Sequence, residues 1–318
     1  MINVYEAVSA NKTKSYFIVA LFFVFVTLVV YVLGQSFGYY LGYAPGGIGY
    51  VGLALIVSGL MSLGGYYFSD KIVLSISKAR PANRKKDFTF YTVVENLCIG
   101  TGLPKPKLYV IDDSAPNAFA TGRDPEHAAI CATTGLLEKL TRSELEGVLA
   151  HELSHVKNYD TRLMAIVAVL VGMVALMGDW FLRTMWWGGK DRDRDEDSKL
   201  GAIFIVLGIV FAILSPIIAQ LIQLAVSRRR EFLADAGSVE ITRQPESLIS
   251  ALDKISADHE PLEVANKATA HLYIVNPFKG GISGRGPSTA LKMVNQFAGL
   301  FNTHPPVSER IKALKTMV

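Results

Sequence analysis

The sequence predicts an α+β membrane protein in which four transmembrane helices accompany a mainly helical globular domain with a small β-sheet. Half of the residues are hydrophobic, and the mean hydropathy of +0.31 is high for a soluble protein. Charged residues nevertheless make up 19% of the chain, which is too many for a protein embedded entirely in a bilayer. Long apolar runs also alternate with segments of ordinary globular composition. Part of the chain is therefore expected to lie in the bilayer, and the rest to fold as a globular domain.

Four apolar runs are the predicted spans, because a helix needs about 20 apolar residues to cross the bilayer core. Residues 16–34, 47–68 and 201–226 meet this length easily. The third run, residues 163–187, carries Asp179 and Arg183 near its end, beside tryptophans typical of a membrane interface. The first run is longer than the apolar core of a signal peptide and lacks a small-residue cleavage site.

Lysines and arginines near the span ends predict the orientation. Cations precede the first span and follow the second and fourth: Lys12, Lys14, Lys71, Lys78, Arg80, Arg84, Lys85, Lys86 and Arg228–Arg230. The loop between spans three and four also has cations, but interleaved acids leave it net negative. Both termini and the globular domain are therefore expected on the cytoplasmic side of a plasma or inner membrane. This pattern indicates a lipid bilayer as partner and no nucleic acid.

The predicted spans divide the chain into four parts. Residues 1–69 hold the first hairpin and residues 162–226 the second, while residues 70–161 and 227–318 form two halves of one cytoplasmic domain. In the first half, "KLYVIDD", "SAPNAFATG" and "HAAICATT" have the pattern of strands. "TRSELEGVLAHELSHV" is predicted to be a helix in which Thr141 and Glu144 form a capping box. The second half is predicted to be mostly helical, and Cys98 and Cys131 are expected to be reduced thiols.

The spacing of His151 and His155 predicts a metal site. Residues four apart lie on one helix face, so both imidazoles can reach one ion. Glu152 projects about 100° around the helix, where it can act as a base on a water without binding the metal. The alternative is a pair of solvated or hydrogen-bonded histidines, which the apolar flanking residues disfavour because burial of such groups is costly.

A catalytic zinc site needs a third protein ligand. "SRRREFLADAGSVE" offers Glu231 for this role, and Asp235 lies one turn further along the same helix face. Asp235 is expected to accept the remaining N–H of a ligand histidine. The alternative is a solvated, charged helix whose acidic residues compensate the charge of the preceding arginines.

Three motifs together resemble the HtpX-type membrane zinc metalloproteases, which are relatives of the CAAX prenyl proteases: "AHELSHVKNYD", "SRRREFLADAGSVE" and "THPPVSERIKAL". "PNAFATG" and "HLYIVNPF" look similar as well. The resemblance implies a zincin-like, thermolysin-type domain with one Zn²⁺ per chain. It implies that His151, His155 and Glu231 bind the ion and that Glu152 is the base. It also implies a cytoplasm-facing site and a role in quality control of membrane proteins under stress.

Two further assignments complete the predicted site. His304 in "THPP", with Arg310 as a second possibility, is a candidate donor to the developing oxyanion; the alternatives are a surface-turn histidine and a salt-bridging arginine. "PNAFATG" is a candidate edge strand that pairs with substrate backbone, so that Asn117, Ala118 and Phe119 contact substrate. The alternative is a buried strand with Phe119 in the core. The remaining histidines are expected to be structural: His127, His259 and His271.

The predicted function is that of a zinc-dependent endopeptidase that hydrolyses peptide bonds of misfolded or damaged membrane proteins. A protease that processes prenylated proteins and a zinc-binding membrane scaffold without catalysis remain alternatives. The intact Glu152 disfavours the scaffold, because a site that only binds metal has no need of a base. The sequence predicts neither the cleavage preference nor the oligomeric state.

Overall fold

The computed structural model describes residues 48–187, 230–265, 269–278 and 305–317, together with parts of 17–38 and of 205–210. The chain divides into two compact units. One comprises Met1–Tyr67 and Ile166–Ile222, and the other comprises Phe68–Ala165 and Gln223–Val318.

The first unit is helical wherever it is described. Residues 23–36 form α1, and α2 (Ile48–Ile76) and α6 (Asp160–Trp187) are long helices that each contribute to both units. Thr27 Oγ1 and Ser58 Oγ lie 2.8 Å apart, which joins α1 to α2. α2 and α6 cover the second and third predicted spans, whereas the fourth lies largely outside the described residues. Within the described part of the chain, no helix meets the length and apolarity required to cross a membrane. The four spans therefore stay a prediction.

A four-stranded mixed sheet lies in the second unit. Its strands are β1 (Arg80–Pro81), β2 (Lys107–Ile111), β3 (Ala118–Thr121) and β4 (Ala129–Thr133), in the order β1-β2-β4-β3. β2 and β4 are parallel, while β3 pairs antiparallel with β4, with Phe119 opposite Cys131. The three predicted strands are confirmed, and β3 lies at an edge as expected. β1 was not predicted, because two residues that include a proline have no strand periodicity.

Five helices with assigned bounds pack around this sheet or close to it: α3 (Phe88–Thr101), α4 (Thr134–Lys139), α5 (Arg142–Lys157), α8 (Pro245–Ala257) and α9 (Val307–Lys315). Residues 230–242 form a further helix, α7. α5 contacts β3, α3 and α8, so it runs through the middle of the unit. Its buried side chains join a hydrophobic core that includes Phe90, Ile130, Leu149 and Leu252. Cys98 and Cys131 are buried free thiols, as predicted.

Both ends of α5 are defined by local interactions. At its start, Thr141 Oγ1 accepts a hydrogen bond from the Glu144 backbone N–H, while the Glu144 side chain accepts one from the Thr141 N–H. The predicted capping box is therefore confirmed. At its other end, Asn158 is the C-cap and Tyr159 adopts a left-handed φ of 61° before α6 begins at Asp160. The chain thus turns sharply between the two helices.

Candidate metal centre

His151 and His155 point their Nε2 atoms at one place in the protein interior. The two atoms lie 3.2 Å apart, and the imidazole planes are at 90° to each other. Only 1% of His151 and 4% of His155 is exposed. The spacing of four residues on α5 puts both rings on one helix face, and this face is turned into the fold.

Glu231 comes to the same place from α7. Its carboxylate oxygens lie 3.6 Å from His151 Nε2 and 3.5 Å from His155 Nε2. α7 approaches α5 closely because Gly237 has no side chain, and a Cβ atom there would collide with the Ser154 side chain. The next residue on α7, Ser238, donates a hydrogen bond of 2.8 Å from its Oγ to the Gly147 carbonyl of α5. These contacts bring the two candidate ligand helices together.

The three groups fit a zinc ion by geometry. His151, His155 and Glu231 offer ligand atoms that all lie within 4.8 Å of one another. Zinc prefers nitrogen and carboxylate ligands at about 2.1 Å in a tetrahedron, whose edge is then about 3.4 Å. The separations of 3.2 to 3.6 Å between the candidate atoms match that edge.

The buried charges also fit a divalent cation. Four carboxylates around the site are at most 2% exposed: Glu152, Asp160, Glu231 and Asp235. The buried guanidinium groups beside them belong to Arg230 and Arg310. The four carboxylates outnumber the two guanidinium groups, so the interior needs further positive charge, which protonated histidines or a bound cation can supply. A dication bound by neutral histidines would balance this site.

Asp235 supports His151 on the side away from Glu231. Its Oδ1 lies 3.0 Å from His151 Nδ1, and Arg310 donates to both carboxylate oxygens at 2.6 and 2.9 Å. Burial acts to raise the pKa of Asp235, but Arg310 and His151 outweigh it and lower the pKa, so the carboxylate stays charged. Arg310 is fully buried and also donates to the Ile274 carbonyl. Of the two interpretations of Arg310, the structure shows the salt-bridging one.

Asp160 supports His155 in the same way, and the sequence did not reveal it. Asp160 Oδ2 lies 3.1 Å from His155 Nδ1, and Arg230 Nη1 donates to Asp160 Oδ1 at 2.9 Å. Burial lowers the pKa of His155, but the carboxylates of Asp160 and Glu231 more than offset this and raise it to about 10. An acidic residue just beyond the helix that carries the two histidines was the available signal.

Glu152 lies on α5 among these groups, with 2% of the residue exposed. Burial raises the pKa of its carboxyl, while the nearby His151 and His155 oppose the shift and Glu231 adds to it. The carboxylate therefore interacts electrostatically with all three candidate ligands. A residue of this kind beside a metal site can accept and return a proton.

The residues predicted to contact substrate at β3 make contacts within the protein. Asn117, Ala118 and Phe119 are each at most 1% exposed. Asn117 Nδ2 donates to the Val275 carbonyl, and the Ala118 carbonyl accepts from the Ile274 N–H at 2.9 Å. The structure shows a buried strand with Phe119 in the core, and substrate contact by these residues stays a prediction.

Among the described residues, His127, His259 and His271 are not part of the cluster of candidate ligands. His304 lies outside the described residues. His127 Nδ1 lies 2.7 Å from Asp124 Oδ1, and the buried His271 places Nε2 3.2 Å from the Met164 carbonyl. His259 is exposed.

Comparison with known proteins places the chain among peptidases. The model of a family described as "Peptidase family M48" matches residues 85–318. The "Protease HtpX homolog" of Caldanaerobacter subterraneus subsp. tengcongensis is 41% identical over 314 residues, covering 98% of this chain and 97% of that protein. The "Protease HtpX homolog" of Tropheryma whipplei is 42% identical over 314 residues, covering 98% of each. The crystal structure of S. mikatae Ste24p matches 97% of this chain and 66% of its own, with a TM-score of 0.44 and 18% identity.

Proposed function

Since the chain belongs to peptidase family M48 and to its HtpX type, we propose that it is a zinc-dependent endopeptidase whose active site is the cluster of His151, His155 and Glu231. The observation that carries this proposal is the convergence of these three ligand atoms at the edge lengths of a zinc tetrahedron, with Glu152 beside them. A site that only stores metal would not require a buried carboxylate next to its ligands.

The side chains divide the chemistry between them. When bound, zinc supplies a Lewis acid for the scissile carbonyl and lowers the pKa of a water in the site. Glu152 accepts the proton of that water as its oxygen attacks the carbonyl carbon, and then returns the proton to the leaving amine nitrogen. Asp235 holds the His151 ring through Nδ1, so that Nε2 presents its lone pair to the ion. Arg310 keeps Asp235 charged and in place.

We further place this peptidase in a cell membrane, with its active site and both termini on the cytoplasmic side. The support is the sequence: four apolar runs, cations beside the first, second and fourth, and short connections from His155 to the third run and from the fourth to Glu231. A site so close to two spans suits polypeptides that leave the bilayer, so we propose misfolded or damaged membrane proteins as substrates. Resistance to extraction of membranes with alkaline carbonate would test the placement, and release of the full-length chain would contradict it.

The test of the activity is cleavage of casein and of an unfolded membrane protein by the purified chain. We expect cleavage that stops when a chelator removes the metal and returns when zinc is restored. We also expect about one zinc per chain by elemental analysis. Cleavage that persists without metal, or zinc content far below one per chain, would contradict the proposal.

A further inference from the structure

Each candidate ligand histidine faces a buried carboxylate that is paired with a buried arginine. Of these two carboxylates, only the one beside His151 was predicted from the sequence. His151 is held by Asp235 and Arg310, and His155 faces Asp160 and Arg230. We propose that Asp160 is the positioning residue for His155, and that Arg230 holds Asp160 so that one ion pair organises both the second and the third metal ligand. This inference rests on the proposed zinc site.

Asp160 contacts the imidazole of His155 directly. Asp160 Oδ2 lies 3.1 Å from His155 Nδ1, while His155 Nε2 faces Glu231 at 3.5 Å. A neutral imidazole has one N–H, and a carboxylate at Nδ1 holds that proton there. Nε2 then keeps its lone pair and its direction, which is what a metal ligand needs. Without Asp160, the ring of His155 could rotate or exchange its tautomer.

Asp160 also forms a buried ion pair with Arg230. Arg230 Nη1 donates to Asp160 Oδ1 at 2.9 Å, and the side chains are 6% and 0% exposed. Arg230 directly precedes Glu231 on α7. The pair therefore ties the start of the described helix that carries the third ligand to the residue that supports the second. Because the pair is buried, loss of either partner leaves a charge that water cannot reach.

The backbone between His155 and Asp160 also makes a tight turn. Tyr159 has a φ of 61°, a left-handed conformation that glycine adopts freely and that an aromatic residue adopts at a cost in strain. This residue makes the turn after which Asp160 begins α6, with its side chain directed back to the end of α5. The Arg162 guanidinium lies 4.9 Å from the centre of the Tyr159 ring. The turn at Tyr159 thus separates the two helices, and the Asp160 carboxylate lies back against His155.

The test measures zinc affinity of the full chain in detergent micelles, by competition with a chromophoric chelator. Asp160→Asn keeps the shape of the side chain but removes its charge, so we expect the zinc Kd to rise about 10- to 100-fold. Arg230→Lys should raise it by a smaller factor, because an ammonium cannot reproduce the guanidinium contact. The double variant should lie within about twofold of Asp160→Asn, because both changes act through the same carboxylate.

Glu144→Gln is the matched control. It breaks the pair of Glu144 with Lys254 at the opposite end of the same helix, and should lower the melting temperature of the metal-free protein without changing the zinc Kd by more than about twofold. A Kd for Asp160→Asn within twofold of the wild-type value would overturn the inference. If Asp160→Asn does not fold, Arg230→Lys decides by the same criterion. If the fold-changes in zinc Kd of the two single variants multiply in the double variant, the proposed coupling of Asp160 with Arg230 is overturned. A wild-type chain that binds no zinc would instead overturn the proposed function.

Discussion

Asp235 Oδ1 lies 3.0 Å from His151 Nδ1 in the protein interior, and the same carboxylate accepts hydrogen bonds from Arg310. This chain of contacts links α5, α7 and α9, three helices that are distant in sequence. It also means that the site contains a buried carboxylate whose charge depends on Arg310 together with His151. The stability of the metal-free protein should therefore depend strongly on Arg310.

Arg310→Met should lower the free energy of unfolding of the metal-free protein by about 3 to 5 kcal/mol, because it leaves Asp235 and Glu231 without their buried cation. Arg84→Met is the control, since the exposed Arg84 pairs with Glu95 near the surface and its loss should cost no more than about 1 kcal/mol. Thermal unfolding in the presence of a chelator measures both. Equal losses in the two variants would contradict the role given to Arg310.

Gly237→Ala should disturb the contact between α5 and α7. The added Cβ collides with the Ser154 side chain, so we expect a loss of about 1 to 3 kcal/mol in stability and weaker zinc binding, because α7 carries Glu231. Gly100→Ala on α3 meets no atom within 4 Å and should be neutral or stabilising by up to about 1 kcal/mol. Unfolding curves and zinc titrations would show this contrast, and wild-type zinc affinity in Gly237→Ala would argue against close packing at this point.

Glu144 should make the stability depend on pH in the acid range. Burial acts to raise the pKa of Glu144, but hydrogen bonds from Lys254, Ser250 and Thr141 lower it to about 2. A carboxyl whose folded pKa is depressed contributes stability above its unfolded pKa of about 4.3, and that contribution disappears as pH falls through the folded value.

Wild type should therefore exceed Glu144→Gln by about 1 to 3 kcal/mol at pH 7, a range reduced because Lys254 is half-exposed. The difference should shrink as pH is lowered from about 4.5 towards 2. Melting temperatures across this range provide the measurement. Glu146→Gln on the same helix breaks only the exposed pair with Arg142 and should change stability by less than about 0.5 kcal/mol at pH 7. A difference in stability between the two proteins that does not vary with pH would show that the pKa of Glu144 is not lowered in the folded state.

Zinc should stabilise the folded chain through the three candidate ligands. At a free zinc concentration of 100 times Kd, we expect a gain of about 2.7 kcal/mol in unfolding free energy. Glu231→Gln should abolish most of this gain, because a neutral amide is a poor zinc ligand. Melting with and without zinc measures the effect. A full zinc-dependent shift in Glu231→Gln would remove Glu231 from the ligand set.

Local patterns explain which features were predictable. The capping box of Thr141 and Glu144 and the shared face of His151 and His155 depend on spacings of three and four residues, so the sequence alone indicated them. The three strands were predicted from another local pattern, the alternating or continuous apolar runs with β-branched residues. Glu231 required a further argument, namely that a metal helix needs a third ligand from elsewhere in the chain.

Contacts between distant segments explain the rest. The Asn117 side chain donates a hydrogen bond to the Val275 carbonyl, 158 positions away, and no local pattern predicts that contact. Asp160 was missed because its direction depends on the left-handed turn at Tyr159, a conformation that an aromatic residue rarely adopts. Arg230 was counted among the cations that orient the membrane spans, whereas it is buried against Asp160.

Glu152 is the proposed base of a zinc endopeptidase, and the Glu152→Gln variant tests this role most directly. Zinc content and turnover of casein should be measured on the same preparation. We expect about one zinc per chain, as in the wild type, with kcat lowered about 100- to 10,000-fold, because the amide cannot take the proton. Retained cleavage in a variant that still binds zinc would contradict this role.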